Sequence, residues 1–268
     1  MSSAALGHIL EKIASKDKDF RYMATSDLLN ELENSSFKAD GDTERKICHI
    51  VLQQLEDTSS DISGLAVKCL GLLVIRVSEI RVDEILQILC HNLIAGKKEQ
   101  QRDIAGIGLK TAIAGINGGS LASVVVKQVT PRMVEGVKKK EESFDICNES
   151  LDILHEVIRK FGMIMASEDQ KNKTGHMFSV LETLMPQMEE GRAGIRKRSI
   201  HCLAALSTYL PDELLQNFCN TLLTRLADQN LKNDVVQAKL HIIGSVCRSV
   251  GFRFGKYLDR AVPLVLNH

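Results

Sequence analysis

Tryptophan is absent from this chain of 268 residues, aromatic side chains make up only 4%, and there are four prolines. Aromatics and turn residues recur on every strand of a β-sandwich or barrel, so both shortages disfavour those folds. A surplus of charge is also missing. Thirty-four Lys+Arg stand against 34 Asp+Glu, a formal net charge of zero. Bulk electrostatic binding to nucleic acid needs a basic excess, and none is present. No apolar run approaches the length of a membrane span. The N-terminal MSSAALGHILEKIASKDKD has no basic head followed by a long apolar core. Its Leu6, Ile9, Leu10 and Ile13 keep helical spacing instead, which argues for a short amphipathic helix rather than a signal peptide. The seven cysteines are odd in number and include no C-x-x-C pair. They read as reduced thiols, which places the chain in the cytosol or nucleus.

What is present is an ordinary globular mix, 44% hydrophobic and 25% charged, too apolar and too balanced for disorder. Within it a repeat is visible. Asp19–Leu32 (DFRYMATSDLLNEL), Asp61–Val74 (DISGLAVKCLGLLV) and Gln101–Ala114 (QRDIAGIGLKTAIA) each carry a small residue followed four positions later by a large aliphatic. The pairs are Ala24/Leu28, Ala66/Leu70 and Ala105/Leu109. They continue as Cys147/Leu151, Ser199/Leu203 and Ala238/Ile242, evenly stepped except for one longer gap between Cys147 and Ser199. Residues at i and i+4 share one helix face. A small side chain there admits a neighbouring helix closely, while the aliphatic fills the groove beside it. Before each of these helices lies a second amphipathic stretch: 3–14, 43–56, 81–95, 120–138, 176–188 and 212–227. In one of them Ile85, Leu86, Leu89 and Leu93 form a single stripe. Two helices, A and B, in a period of roughly 40 residues are the signature of HEAT and armadillo repeats. The expected fold is all-α: a right-handed HEAT-repeat solenoid of about six and a half two-helix repeats, one continuous array over 1–268.

Punctuation fits this plan. Pro131, Pro186 and Pro263 fall inside A-helix patterns, where they bend the helix or end it early, and Pro211 precedes one. Gly162 and Gly251 are expected to close the fourth and sixth B helices as C′ glycines. Gly118-Gly119-Ser120 reads as a turn with Ser120 as N-cap. The polar run Ser167–Lys173 reads as an extended loop. After Gly251 a further A-helix pattern follows, with Val262, Leu264, Val265 and Leu266 apolar. A terminal repeat ordinarily presents a polar outer face, so the chain is expected to be the N-terminal part of a longer solenoid.

No residue set promises catalysis, and no cofactor or metal ligand is predicted. Gly106–Thr111 resembles a phosphate loop only faintly, lacking the required glycine spacing and a preceding strand. Cys48-His49 and Cys90-His91 lie one repeat apart on separate helices, unlike the converging ligands of a zinc site. His155, His201 and His241 lie on B helices and read as packing or surface histidines. Lys138-Lys139-Lys140 ends an A helix, where cations suit the helix dipole. The more useful signal is basic: Arg21, Lys68, Arg102 and Lys110 on successive B helices, and Arg192, Arg196, Lys197 and Arg198 at the start of the fifth. B helices line the concave side of HEAT solenoids. Arg21, Lys68, Arg102, Lys110, Arg196, Lys197 and Arg198 are therefore the candidate partner-binding residues.

Several stretches carry more than the apolar skeleton of a repeat. Asp17–Leu32 (DKDFRYMATSDLLNEL), Leu65–Val74 (LAVKCLGLLV), Arg102–Thr111 (RDIAGIGLKT), Ile195–Ile200 (IRKRSI) and Gly251–Val265 (GFRFGKYLDRAVPLV) closely resemble the N-terminal arm of the cullin-associated and neddylation-dissociated proteins. The resemblance runs in register over essentially the whole chain and is loose around 138–143 and 167–173. It implies a non-enzymatic HEAT-repeat regulator of cullin–RING ubiquitin ligases that binds the unmodified cullin and promotes substrate-receptor exchange. The arm resembled here implies a grip on the cullin's C-terminal region near its RING subunit. It also implies cytoplasmic and nuclear location, with no nucleic acid, membrane or small-molecule partner. The repeat architecture by itself equally admits a scaffold or transport adaptor with another protein partner.

Overall fold

In the computed structural model, residues 3–189, 192–228 and 233–267 are described, with side chains from Leu6 onward. Among them there is no strand; the chain is a series of helical hairpins, the HEAT-type solenoid expected. The A helices are α1 (Ser3–Ile13), α3 (Gly41–Leu55), α5 (Glu79–Ala95), α7 (Gly119–Lys138), α9 (His176–Leu184), α11 (Asp212–Leu226) and α13 (Leu258–Leu266). The B helices are α2 (Lys18–Glu33), α4 (Ser60–Leu73), α6 (Glu99–Gly115), α8 (Phe144–Asn172), α10 (Ala193–Ser207) and α12 (Asn233–Val250). Short 3-10 helices occupy Pro186–Glu189 and Gly251–Tyr257. By internal packing the chain divides into two compact units, residues 1–129 and 130–268, with the division inside α7.

In the first unit α1, α3 and α5 pack on α2, α4 and α6, and the B helices stack in chain order. The capping chemistry is local. Asp17 accepts the Asp19 amide at 2.8 Å, and Asp40 accepts the Thr43 amide at 2.8 Å. Each thereby satisfies donors that a helix start leaves open. The core is aliphatic: Leu28, Leu70, Leu86, Leu89 and Leu109 are all buried, each such side chain worth roughly 1.5–3 kcal/mol. Glycines of α6 serve close approach. A Cβ on Gly108 would stand 3.1 Å from Leu89 and 3.3 Å from Leu70. One on Gly115 would meet the Gly71 carbonyl at 2.8 Å. The faint phosphate-loop pattern is thus a packing surface in mid-helix.

In the second unit α10 stacks between α8 and α12, and α13 packs on α11. Here the structure corrects the repeat phase. In the first unit the Cys69 thiol, three positions past Ala66, donates to the Thr25 carbonyl (3.8 Å), one position past Ala24. The Cys202 thiol, three past Ser199, donates to the Leu151 carbonyl (3.3 Å). The residue one before Leu151 is Ser150, not Cys147. Ser150 is fully buried, and Gly136 of α7 lies so close to its side chain that a Cβ would collide with it. With Ser150/Leu154 in register instead of Cys147/Leu151, the long gap before Ser199 shortens by three positions. The repeat is more even than the sequence pattern suggested. Burial pushes the Cys69 thiol up to about 12, so it stays protonated and able to donate.

Two further expectations change, and one holds in part. The run 167–173 is not a loop: α8 continues to Asn172, with Lys173 in a left-handed conformation (φ 52°) ending it. The Asp169 carboxylate explains the change. It accepts the His176 amide at 2.9 Å and the Met177 amide at 2.8 Å, so the last turn of α8 caps the start of α9. The fourth B helix does break where expected, at Phe161-Gly162, but without a left-handed glycine. The backbone departs from helical values at Phe161 (φ −124°, ψ 18°), and helix resumes beyond it. Gly162 is instead the place where the Tyr209 ring rests against the backbone. Ser120 lies inside α7, which begins at Gly119 in a left-handed conformation (φ 68°). Gly251 does close α12 as expected (φ 56°). Pro131 and Pro263 sit within helices, Pro211 caps α11, and Pro186 opens the 3-10 turn after α9.

Because Tyr209 fills the space a side chain at 162 would need, Gly162→Ala should lower unfolding stability by about 1–3 kcal/mol, the usual cost of overpacking. Urea denaturation checks this. Adding Tyr209→Ala in that background should cost less than the same change in the wild type, because the two sites share one contact.

Candidate partner-binding face

The seven basic candidates fall into two groups. Arg21, Arg102 and Arg196 are each the fourth residue of a B helix, and each lies three positions before a buried small residue. Arg21 is committed inside the fold. Its Nε and Nη2 donate to the two Asp57 oxygens at 2.7 and 3.1 Å, and its Nη1 donates to the carbonyls of Ser15 and Lys16. It therefore ties the turn before α2 to the turn before α4. Arg102 donates to the Gly96 carbonyl at 3.0 Å, closing the turn before α6 in the same way. Arg196 lies 3.7 Å from Asp234 at the start of α12. The recurrence read from the sequence as a contact ladder is largely a turn-fastening device.

Arg198 is likewise engaged, its Nε 2.9 Å from Asp152, which links α10 to α8. Arg192 lies over the Phe144 ring, 3.0 Å from its centre. Lys68 and Lys197 are exposed and have no ion-pair partner among the described residues, whereas Lys110 is half-buried. Lys68 and Lys197 are thus the candidates most available to a partner.

Helix stacking also assembles a feature that spacing alone did not single out. His155 of α8, His201 of α10 and His241 of α12 form one column, with ring centres 6.3 and 6.4 Å apart. Each follows the last by one repeat, and that recurrence is the signal that could have found them. Partial burial, then His155 and His241, and then Lys197 and Arg198 hold the His201 imidazole below its ordinary value.

No group of His, Cys, Asp and Glu able to hold a metal ion occurs among the described residues. Cys48 and Cys90 are buried while His49 and His91 are exposed, so adjacent residues point to opposite sides. Burial pushes the Cys48 thiol up to about 12, far from a thiolate ligand. A groove of about 300 Å³ lies between α9 and α11, lined by Phe178, Leu181, Met185, Leu214 and Phe218. No described helix is long and apolar enough to cross a membrane.

Comparison with known proteins gives the face a context. The chain is 40% identical over its whole length to a cullin-associated NEDD8-dissociated protein 1 of Arabidopsis thaliana, and covers 21% of that protein. It is 37% identical to protein 2 of the same name from Mus musculus, over 99% of the chain and 21% of the relative. A relative from Emericella nidulans, called the N-terminal part of cullin-associated NEDD8-dissociated protein 1, is 21% identical; the chain covers 83% of it. The chain therefore spans about a fifth of the length of its full-length curated relatives. Among solved structures it is similar to Kap121p, with a TM-score of 0.64 and 17% identity over 98% of this chain and 28% of that one. That likeness speaks for the fold alone. No family model matches the chain.

Asp57 gives a test of the turn-fastening arginines. Its burial works to raise its pKa, but the Arg21 guanidinium and the Ser59 amide outweigh that and hold it below the ordinary carboxylate value. A carboxylate depressed in the folded state contributes stability above its unfolded pKa, about 3.9, and loses it as pH falls through the lower folded value. Arg21→Met should lower the urea midpoint at pH 7 and leave Asp57 with its burial largely uncompensated. Part of the acid-side loss of stability should then disappear, read as the difference between pH 7 and pH 3 denaturation curves.

Proposed function

From whole-length similarity to about a fifth of the cullin-associated NEDD8-dissociated proteins, we propose that this chain is a cullin-binding arm that regulates cullin–RING ubiquitin ligase assembly without catalysing a reaction. The 40% identity over the whole chain is the observation that carries this reading. The resemblance extends to Asp17–Leu32 and Gly251–Val265, where generic repeats share only their apolar positions. The partner surface proposed is the cullin's C-terminal region with its RING subunit, recognised when the cullin lacks NEDD8. In the full activity, promotion of substrate-receptor exchange, this arm supplies the grip. The compartments proposed are cytoplasm and nucleus, where such ligases would be met.

The physical basis is addition along a repeat stack. Each hairpin presents a few side chains, and weak contacts sum over successive repeats. Discrimination between modified and unmodified cullin is then a difference of affinities: a bulky modifier need only remove part of the shared surface. Lys68 and Lys197 are the side chains best placed to report the contact, being exposed on B helices with no ion-pair partner among the described residues.

Capture experiments with unmodified and NEDD8-modified cullin–RING complexes test the reading. The unmodified complex should be retained and the modified one lost. Equal recovery of both, or of neither, would return the chain to the scaffold and adaptor class. Lys68→Glu with Lys197→Glu should weaken capture about tenfold, as expected for reversing two contact charges.

A further inference from the structure

The histidine column on α8, α10 and α12 lies at the surface of the second unit. His201 and His241 are exposed and His155 is half-exposed. We propose that this column, with Lys197 and Arg248, docks an extended acidic segment of a partner polypeptide and takes up protons as it binds. The proposal rests on the second unit alone and does not require that the partner be a cullin.

The charge surrounding the column supports an anionic occupant. On α8 the acids beside His155 are already engaged: Asp152 lies 2.9 Å from Arg198, and Glu156 lies 2.8 Å from Arg159 and 4.0 Å from His155 Nδ1. Lys160 on the same helix lies over the Phe161 ring. On α10, Lys197 and Arg198 flank His201. On α12, Gln237 and Ser245 stand one turn either side of His241; two turns before it Asp234 is met by Arg196 at 3.7 Å, and two turns beyond it the exposed Arg248 donates to the Ser245 hydroxyl at 3.2 Å. Neither Lys197 nor Arg248 has an ion-pair partner among the described residues. Around His201 the remaining field is positive, and this imidazole, with a second ring on either side, resists protonation unless a negative charge is brought to it.

Spacing selects the form of the ligand. In an extended peptide each residue advances about 3.3 Å, so alternate side chains on one face stand roughly 6.6 Å apart. The ring centres repeat at 6.3 and 6.4 Å. A segment with an acid at every second position therefore brings one carboxylate to each imidazole. A single-stranded nucleic acid offers a similar charge spacing but relies on aromatic platforms for its bases. The exposed aromatic rings of the described residues, Phe20, Tyr22, Phe178 and Phe252, lie on none of these three helices.

The probe is a labelled peptide alternating glutamate with threonine, titrated against the full chain by fluorescence anisotropy at low salt. Between pH 7.8 and 5.8 its affinity should rise at least about tenfold, because an uptake of n protons tilts log K by n per pH unit wherever uptake is complete. His201→Gln should abolish most of that rise, so that variant and wild type differ more at pH 5.8 than at pH 7.8. In NMR titrations bound peptide should raise the His201 midpoint. Circular dichroism of the variant guards against misfolding, and His241→Gln provides a second, separately folded test. Equal binding at both pH values, an unchanged pH dependence in both variants, or tighter binding of an oligothymidylate of equal charge would overturn the proposal. A null result here leaves the cullin capture experiment intact, since the probe contains no cullin.

Discussion

Close approach between stacked helices is the constraint on which the rest of this structure depends. One position in each B helix must be small and buried: Ala24, Ala66, Ala105, Ser150, Ser199 and Ala238 are all at or below 7% exposure. Where the fit is tightest, even a methyl group is excluded, as at Gly136 against Ser150 and Gly162 against Tyr209. Cysteine suits the neighbouring positions for the same reason. A thiol is compact, remains protonated when buried, and can still donate weakly to a carbonyl of the helix below, as Cys69 and Cys202 do. The low aromatic content follows. Large rings would hold the helices apart, whereas Leu, Ile and Val interdigitate at native density.

Much of this was readable in the sequence because the repeat imposes the same requirement six times. A small residue four before an aliphatic, once in every repeat, fixes helix B; an amphipathic stretch before it fixes helix A. The fourth repeat shows where such reading stops. In α8 both Cys147/Leu151 and Ser150/Leu154 satisfy the pattern, and they differ by about one helical turn. Only the contacts with Gly136 and Cys202 decide between them. The run 167–173 fails for a related reason. Its polarity suggests a loop, but Asp169 caps α9, a partnership seven and eight positions away that local propensity does not register.

The candidate site was less readable, because one residue type serves two purposes. Arginine suits a turn full of carbonyls, since its planar fork can reach several acceptors at once. Arg21 does so, bridging Asp57 and two carbonyls, and Arg102 reaches Gly96. Periodic arginine in a helical repeat is therefore evidence of the repeat before it is evidence of a partner. Lysine, a single hydrated charge on a flexible stem, is poorly suited to that task. Lys68 and Lys197 remain exposed accordingly. Lys239 shows the exception: it is buried only because Glu189 and the Arg225 carbonyl receive it.

This division of labour gives the zero net charge a specific meaning. Balanced composition does not leave a featureless surface; it reflects acids and arginines consumed in pairs such as Arg21–Asp57, Arg198–Asp152 and Arg253–Asp212. Each pair links a helix or turn to its neighbour and is largely withdrawn from recognition. The charge still available to a partner is scattered and of both signs, Lys68, Lys197 and Arg248 among the cations and Asp27, Asp103 and Glu213 among the acids. Such a set generates no long-range field, and at physiological ionic strength its reach is about 8 Å. Discrimination must then arise at contact, from whether a partner's groups match the repeat interval along the stack. A partner presenting its acids at another interval meets the same charges without their sum. In a neutral repeat array, spacing rather than total charge is what selects the ligand.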